Sequence, residues 1–307
     1  MALPAFIRKQ KHSHPFRWKL NLHSTIFEIS FACNKLQYNM KQLKSTINDL
    51  HRLFETGILV QSIASQLECV QVDDPFETAK SIMAEKDFDV LGVRQNGLVV
   101  GFLERNSVIG NLCSDVLVPF KPGDLIAESS SLRLPFRKLK SQPRLFILTG
   151  DNVDGIVTRG DLQKAPVRMW LFSLVTLSEM QMQRLILSFH PSDWQEFLKG
   201  ARLQKAQETF KLRQEKNENT ELIDCLQFID KVTIIIKSPN LRESLNIQNN
   251  KKESRMLKEV ETLRNDLAHA QDIITGNWPK VAEIAEDLEG FIERCENVVL
   301  SDQDFEA

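Results

Sequence analysis

Leu145-Phe146-Ile147-Leu148, then Gly150-Asp151-Asn152, then Val153-Asp154-Gly155-Ile156-Val157-Thr158-Arg159-Gly160-Asp161 reads as a strand, a tight turn, a second strand and the opening of a short helix. The same order stands 54 residues earlier. Val90-Leu91-Gly92-Val93 is a strand, Asn96-Gly97 a hairpin turn and Leu98-Val99-Val100-Gly101-Phe102-Leu103 a second strand, so that Gly101 falls on Gly155, Arg105 on Arg159 and Val93 on Ile147. Ahead of the first copy, Val70-Gln71-Val72 predicts a strand and Asp74-Pro75 a helix start, with Phe76, Ala79, Ile82 and Met83 on its apolar side. A repeat of this size marks a duplicated supersecondary unit. Each unit has too few strands to close a core, so the two are expected to pack on one another.

On either side the pattern turns helical. From about Phe27 to Ser65, Leu43, Ile47, Leu50 and Leu53-Phe54 recur at three- and four-residue spacing, which predicts helix. Beyond Ala165 helices are predicted over about 167–189, 192–216, 220–237, 251–275 and 279–299. Pro191-Ser192-Asp193 starts one, Ser238-Pro239-Asn240 breaks another, and Gly276 and Pro279 separate the last two. Trp170, Leu171, Phe172 and Leu174 at the junction read as core, or as the interface coupling the halves. The expected fold class is α+β, with small mixed sheets and helices, followed by an all-α bundle. The expected domains are a basic segment and helix over 1–56, a paired unit over 57–165, the bundle over 166–300 and an acidic tail over 301–307.

The chain has 307 residues, 42% hydrophobic and 26% charged, enough for real cores and too apolar for wholesale disorder. Its net charge of -2 hides an asymmetry: residues 1–50 carry eight Lys/Arg against two Asp/Glu, and residues 281–307 one Arg against nine acids. A basic end meets nucleic acid, an anionic surface or the chain's own acidic end. Arg8, Lys9, Lys11, Arg17 and Lys19 would guide RNA, with Phe16 and Trp18 as the only interleaved aromatics. No apolar run approaches membrane-spanning length. Five scattered cysteines make neither a disulfide framework nor a zinc finger, and a reducing cytoplasm is expected. His12, His14 and His23 lack an acid or Cys partner at ligand spacing, so no metal site is expected. The sequence carries no Gly-x-x-x-x-Gly-Lys-Ser/Thr loop and no Gly-x-Ser-x-Gly elbow.

The repeated unit ending in Gly155-Ile156-Val157-Thr158-Arg159-Gly160-Asp161 resembles the CBS domain, a module found in tandem. The resemblance covers about residues 57–165 and implies an adenine-nucleotide ligand, AMP- or ATP-like. By it, Thr158 would hold a phosphate through its hydroxyl and Asp161 would accept both ribose hydroxyls. Arg159 would add a charge-assisted contact, and the free N–H groups of the short helix would favour an anion. The first copy departs from the pattern: Glu104 stands at the Thr position and Ser107 at the Asp position. One intact site is therefore implied, because Glu104 would repel a phosphate.

In the helical half, Met256, Val260, Leu263, Leu267, Ala270 and Ile274 form an apolar stripe, and beside it lies Arg264-Asn265-Asp266-Leu267-Ala268-His269. This resembles the HEPN superfamily of helical bundles, whose active members carry Arg-x(4–6)-His with a polar residue after the arginine. The resemblance covers about 168–300. It implies a homodimeric ribonuclease that needs no metal, of the kind found in antiviral defence and toxin–antitoxin systems. Arg8…His14, Arg17…His23 and Arg184…His190 also satisfy Arg-x5-His, but only Arg264 is followed by Asn within a strong helix. On a straight helix Arg264 and His269 point about 140° apart, whereas Asn265 and His269 share a face. A site therefore needs a helix end, a kink or a second protomer. His269 would then move the proton at the ribose 2′-hydroxyl or the leaving oxygen, Asn265 would orient it, and Arg264 would stabilise phosphoryl charge.

The sequence thus predicts a nucleotide-regulated RNA-cleaving enzyme whose stiff junction, Lys164–Met169, passes ligand-driven rotation to the bundle. The alternatives are a non-catalytic nucleotide-sensing dimerisation protein and a toxin–antitoxin component bound by a second protein.

Overall fold

The computed structural model describes residues 45–107, 110–274 and 278–303. The basic N-terminal stretch with its histidines, the 27–44 part of the first helical pattern, Gly276 and residues 304–307 lie outside the described residues.

Thr46 opens the described chain with a capping box: its hydroxyl accepts from the Asp49 N–H, and its own N–H donates to the Asp49 carboxylate. The helix that follows, α1 (Ile47–Arg52), runs into a wide turn over Leu53–Gly57. The expectation of helix through Ser65 fails at its end. A single 3-10 turn, Val60–Ser62, leads instead into a two-residue strand, β1 (Ser65–Gln66). Then come β2 (Cys69–Gln71), α2 (Phe76–Lys86), β3 (Val90–Gln95) and β4 (Leu98–Glu104). After β5 (Val118–Pro119), the second copy comprises β6 (Leu125–Ala127), α3 (Arg133–Lys138), β7 (Arg144–Thr149) and β8 (Asn152–Thr158).

The hairpins keep the 54-residue offset down to their irregularities. β3/β4 slips register between Val93 and Arg94, and β7/β8 between Ile147 and Leu148. Each sheet is mixed, with orders β2-β3-β4-β5 and β1-β8-β7-β6. Each also borrows a strand from the other unit, since β1 precedes the first unit yet pairs with β8, and β5 precedes the second yet pairs with β4. The two sheets meet over Leu67, Val90, Val99, Phe102, Phe146 and Val153, with Phe102, Phe120 and Phe146 ring to ring at 4.8–5.9 Å. This is the α+β arrangement that the CBS resemblance implies, two strand–helix–hairpin units packed sheet to sheet, and a mostly helical region follows it.

That region contains α4 (Ala165–Phe189), α5 (Gly200–Glu215), α6 (Phe228–Lys237), α7 (Pro239–Ser244), α8 (Asn250–Ala268) and α9 (Trp278–Gln303). Several sequence-based bounds need correction. The 192–216 and 220–237 patterns each begin with a separate 3-10 turn, Trp194–Phe197 and Leu222–Cys225. Ser238 does end α6, but its hydroxyl accepts from Leu241 N–H and starts α7 at once. The 251–275 helix stops at Ala268, so Ala270 is exposed and Ile274 lies beyond the helix end, outside the buried stripe of Met256, Leu257, Val260, Leu263 and Leu267. Trp170, Leu171 and Leu174 are buried as expected, whereas Phe172 faces outward.

The two halves share one core. The ring of Phe136 on α3 stands edge-on to Trp170 of α4 at 4.5 Å and to Trp278 of α9 at 4.4 Å. Leu145, Ile147 and Val157 of the second sheet belong to the same buried cluster as these tryptophans and the bundle interior. The first unit keeps a separate cluster of Phe76, Ala79 and Met83 against Leu91, Val93 and Leu103.

Candidate functional site

At the end of β8, Thr158 and Asp161 come together. Asp161 is 8% exposed and sits in the 3-10 turn Gly160–Gln163. One carboxylate oxygen accepts the Thr158 N–H at 2.7 Å and its hydroxyl at 2.9 Å. The other accepts the Ser65 hydroxyl at 2.8 Å and lies 2.7 Å from Lys164 Nζ. Four donors fill the four lone-pair positions of a carboxylate. Burial pushes the Asp161 carboxyl up, but the bonds from Lys164, Thr158 and Ser65 outweigh it and hold it below the usual carboxylate range. Lys164 spends its remaining donors on Ile63 O at 2.6 Å and Ser65 Oγ at 3.0 Å. Neither Ser65 nor Lys164 was legible as a site residue; the only signal was a lysine three residues after the aspartate.

A cavity of about 610 Å³ opens over this network. It is lined by Ser65, Leu67, Phe88, Ile156, Thr158, Arg159 and Asp161, with Glu68, Asp87, Asp89 and Arg144 at its edges. The size suits a small-molecule ligand, a class that fills roughly 300–1,000 Å³. Arg159 turns its Nε to Leu139 O at 3.0 Å, and its terminal nitrogens have no partner among the described residues. The edge carboxylates are matched by cations: Glu68 with Lys86 at 2.7 Å, and Asp87 and Asp89 with Arg105 at 2.9 and 3.8 Å. Glu104, the departure in the first copy, pairs with Arg144 of the second. In this way a sheet-end position that could have faced a ligand anion is committed to an internal ion pair.

The second candidate site lies at the end of α8. His269 is the C-cap, and Ala270 beyond it has φ 52°. Gln271 N–H reaches back to Asp266 O at 2.8 Å and Ala270 N–H to Leu267 O at 3.4 Å, the bonding of a Schellman turn. Arg264 is half-buried, with Nη1 3.4 Å from Asn265 Oδ1. Asn265 and His269 are exposed. The structure thus brings Arg264 to Asn265, shows no contact between Arg264 and His269, and ends α8 at Ala268, one residue before His269. On the outer face of α8, Lys251, Arg255, Lys258, Thr262, Asn265 and His269 are all exposed. At 100° per residue they fall in a sector about 80° wide and about 27 Å long. None of the three cations has a carboxylate partner among the described residues. Of the helix's four acids, Glu253 pairs with Arg294 and Glu259 with Lys280 of α9, while Glu261 and Asp266 flank this sector.

A third constellation has catalytic-looking geometry and a structural role. His190 bonds Asp193 through Nδ1 at 3.2 Å and the Ser238 hydroxyl through Nε2 at 2.7 Å. His190 and Ser238 are buried, and Ser238 caps α7, so this trio pins the end of α4 to the α6–α7 corner. Among the described residues no cluster of three metal-ligating side chains occurs, and no helix is long and apolar enough to cross a membrane.

Solved structures similar to this chain include CBS-domain proteins. One is CBSX2 in complex with AMP, at 20% identity and TM-score 0.33, covering 36% of this chain and 97% of that chain. Another is CBSX2 from Arabidopsis thaliana, at 18% and 0.33, covering 36% and 95%. A third is a conserved CBS domain protein from Thermoplasma acidophilum, at 25% and 0.30, covering 38% and 75%. No protein-family model matches the chain, and no curated protein matches it.

Proposed function

We propose that residues 57–165 act as a CBS pair binding an adenine nucleotide in the Thr158–Asp161 cleft, and that the helical residues 166–300 carry the response. The observation behind this reading is the cleft itself, with a buried carboxylate, a threonine hydroxyl and an arginine whose terminal nitrogens have no partner among the described residues around one cavity of ligand size. A ribose diol can reach Asp161 only by displacing two of its three side-chain donors, the Thr158 hydroxyl, Ser65 Oγ and Lys164 Nζ, because the carboxylate has no acceptor position to spare, and Ser65 Oγ is itself bonded to Lys164 Nζ. Binding therefore changes what Lys164, the N-cap of α4, is attached to. The test is titration of the full chain with AMP and ATP by calorimetry and thermal shift, with Asp161→Asn and Thr158→Val alongside. Saturable binding that both variants weaken supports the reading. No binding of any adenine nucleotide by the wild type ends it.

A second reading, RNA cleavage without metal at Arg264, Asn265 and His269, is favoured by the basic stripe on α8. Three cations without a carboxylate partner among the described residues lead along one helix face to Asn265 and His269, suited to the phosphates of an RNA strand. Arg264 lies about 140° around the helix from His269, so the reacting pair would come from two protomers of a homodimer. His269 would transfer the proton and Arg264 steady the phosphoryl oxygens. Cleavage of a mixed RNA in EDTA by the wild type, abolished in His269→Ala, supports this. Equal cleavage by both proteins removes the motif from the site, and no cleavage leaves a nucleotide-responsive regulator.

A further inference from the structure

We infer that Gln163 and Arg168 are positioning residues that make the His269 turn respond to the state of Asp161. The inference rests on the cleft reading above for its ligand, but not for its structural link. Gln163 shares the 3-10 turn with Asp161, and two residues on such a turn place their side chains about 120° apart. Asp161 thus lines the cleft while Gln163 reaches the far end of α8. There Gln163 Nε2 donates to the Asp272 carboxylate, and its Oε1 accepts from Arg168 Nη1 at 3.2 Å and Ile273 N–H at 3.5 Å. Arg168 in turn donates to Gln271 O at 2.9 Å and to Asp266 O and Leu267 O, both at 3.1 Å. Asp266 O and Leu267 O already accept Gln271 N–H and Ala270 N–H in the Schellman turn, so Arg168 gives each a second donor and ties the turn to α4.

The turn so held contains His269. Its left-handed residue is Ala270 rather than glycine, so its geometry is costly and depends on outside support. The cleft side is held just as closely. Lys164 N–H donates to Asp161 O at 3.1 Å, Lys164 Nζ grips the Asp161 carboxylate, and Arg168 N–H bonds Lys164 O one helical turn later at 3.3 Å. Asp161, Gln163, Lys164 and Arg168 therefore form one hydrogen-bonded lever with an arm at each site. Replacing Ser65 Oγ or Lys164 Nζ on the Asp161 carboxylate by a ligand hydroxyl loosens one arm, and the other cannot keep all its bonds to 266–273 unaltered. By linkage, anything that fixes the His269 turn must change ligand affinity by the same factor.

Hydrogen exchange measured by mass spectrometry on the full chain tests this. Peptides over 264–274 report, and α6 serves as the reference. Gln163→Ala and Arg168→Ala should raise exchange over 266–273 about tenfold, the loss expected for one or two net hydrogen bonds, with α6 unchanged. Asp161→Asn and Lys164→Met, which touch no atom of that segment, should raise it as well. AMP should alter the same peptides in the wild type. In Gln163→Ala, AMP should still bind and leave them unaltered, which a merely structural role for Gln163 would not produce. Unchanged exchange over 266–273 in both Asp161→Asn and Lys164→Met overturns the inference. If AMP does not bind the wild type, the nucleotide reading falls, and these two variants still decide the link.

Discussion

Ala270 occupies a backbone conformation that a β-carbon disfavours by roughly 1–2 kcal/mol. The other described non-glycine residues at positive φ are Asp87, Asn96, Asn217 and Asn246, whose short polar side chains tolerate it better. Ala270→Gly should stabilise the protein by about 1 kcal/mol, read as a higher urea midpoint at unchanged slope. The same residue explains why the sequence suggests a helix through Ile274: the usual glycine stop signal is missing at the place where the helix ends. Asp161 offers a second prediction. Its native carboxyl titrates below its unfolded value, so its contribution is fully present above the unfolded pKa and is lost as pH falls through the folded one. Asp161→Asn should cost about 2–4 kcal/mol at pH 7. The gap between wild type and variant should stay flat down to about pH 5 and narrow below about pH 4, near the reference pKa of 3.9. A gap that widened on acidification would contradict the ion-pair account.

Between elements, the lent strands depend on missing side chains. A β-carbon on Gly101 would stand 2.4 Å from Val118 O, inside the β4–β5 pairing. On Gly155 the nearest atom is Ile147 Cβ at 3.1 Å and the lent strand's Ser65 O is at 3.4 Å. Gly101→Ala should therefore cost about 1–3 kcal/mol, and Gly155→Ala less, in parallel denaturation curves. Phe136 is the corresponding pivot between sheet and bundle. Phe136→Ala should cost about 3–5 kcal/mol. In a double-mutant cycle with Trp278→Ala, the two should fall short of additivity because they touch.

Over the whole molecule, the second unit and the bundle share a single buried cluster while the first unit's outer core stands apart. Trp170, Trp194 and Trp278 all belong to the shared cluster. Tryptophan fluorescence and bundle-peptide hydrogen exchange should therefore report one cooperative transition, and Phe136→Ala should shift both together. Met83→Ala, in the separate core, should loosen α2 and β3 and leave the tryptophan midpoint nearly in place. Equal shifts from both variants would mean that the two cores unfold as one.

The hairpins, the duplication at a 54-residue offset and α2 after Asp74-Pro75 could all be read from sequence, because alternation, turn residues and short-range spacing are local physics; Thr158 and Asp161 were named only by the resemblance of their motif. The two-residue strands β1 and β5 could not, since so short an extended segment has no periodicity and exists only through the sheet that accepts it. The sequence also named Arg264, Asn265 and His269 and asked for a helix end, a kink or a second protomer to bring them together. It could not place that end, which is set by carbonyls capped from α4 nearly 100 residues earlier. Tertiary structure alone decided that Asp161 is shared among Thr158, Ser65 and Lys164, and that Gln163 and Arg168 join it to the turn holding His269. Those bonds link residues distant in the chain, and a periodicity read along one strand or helix carries no information about which distant groups will meet.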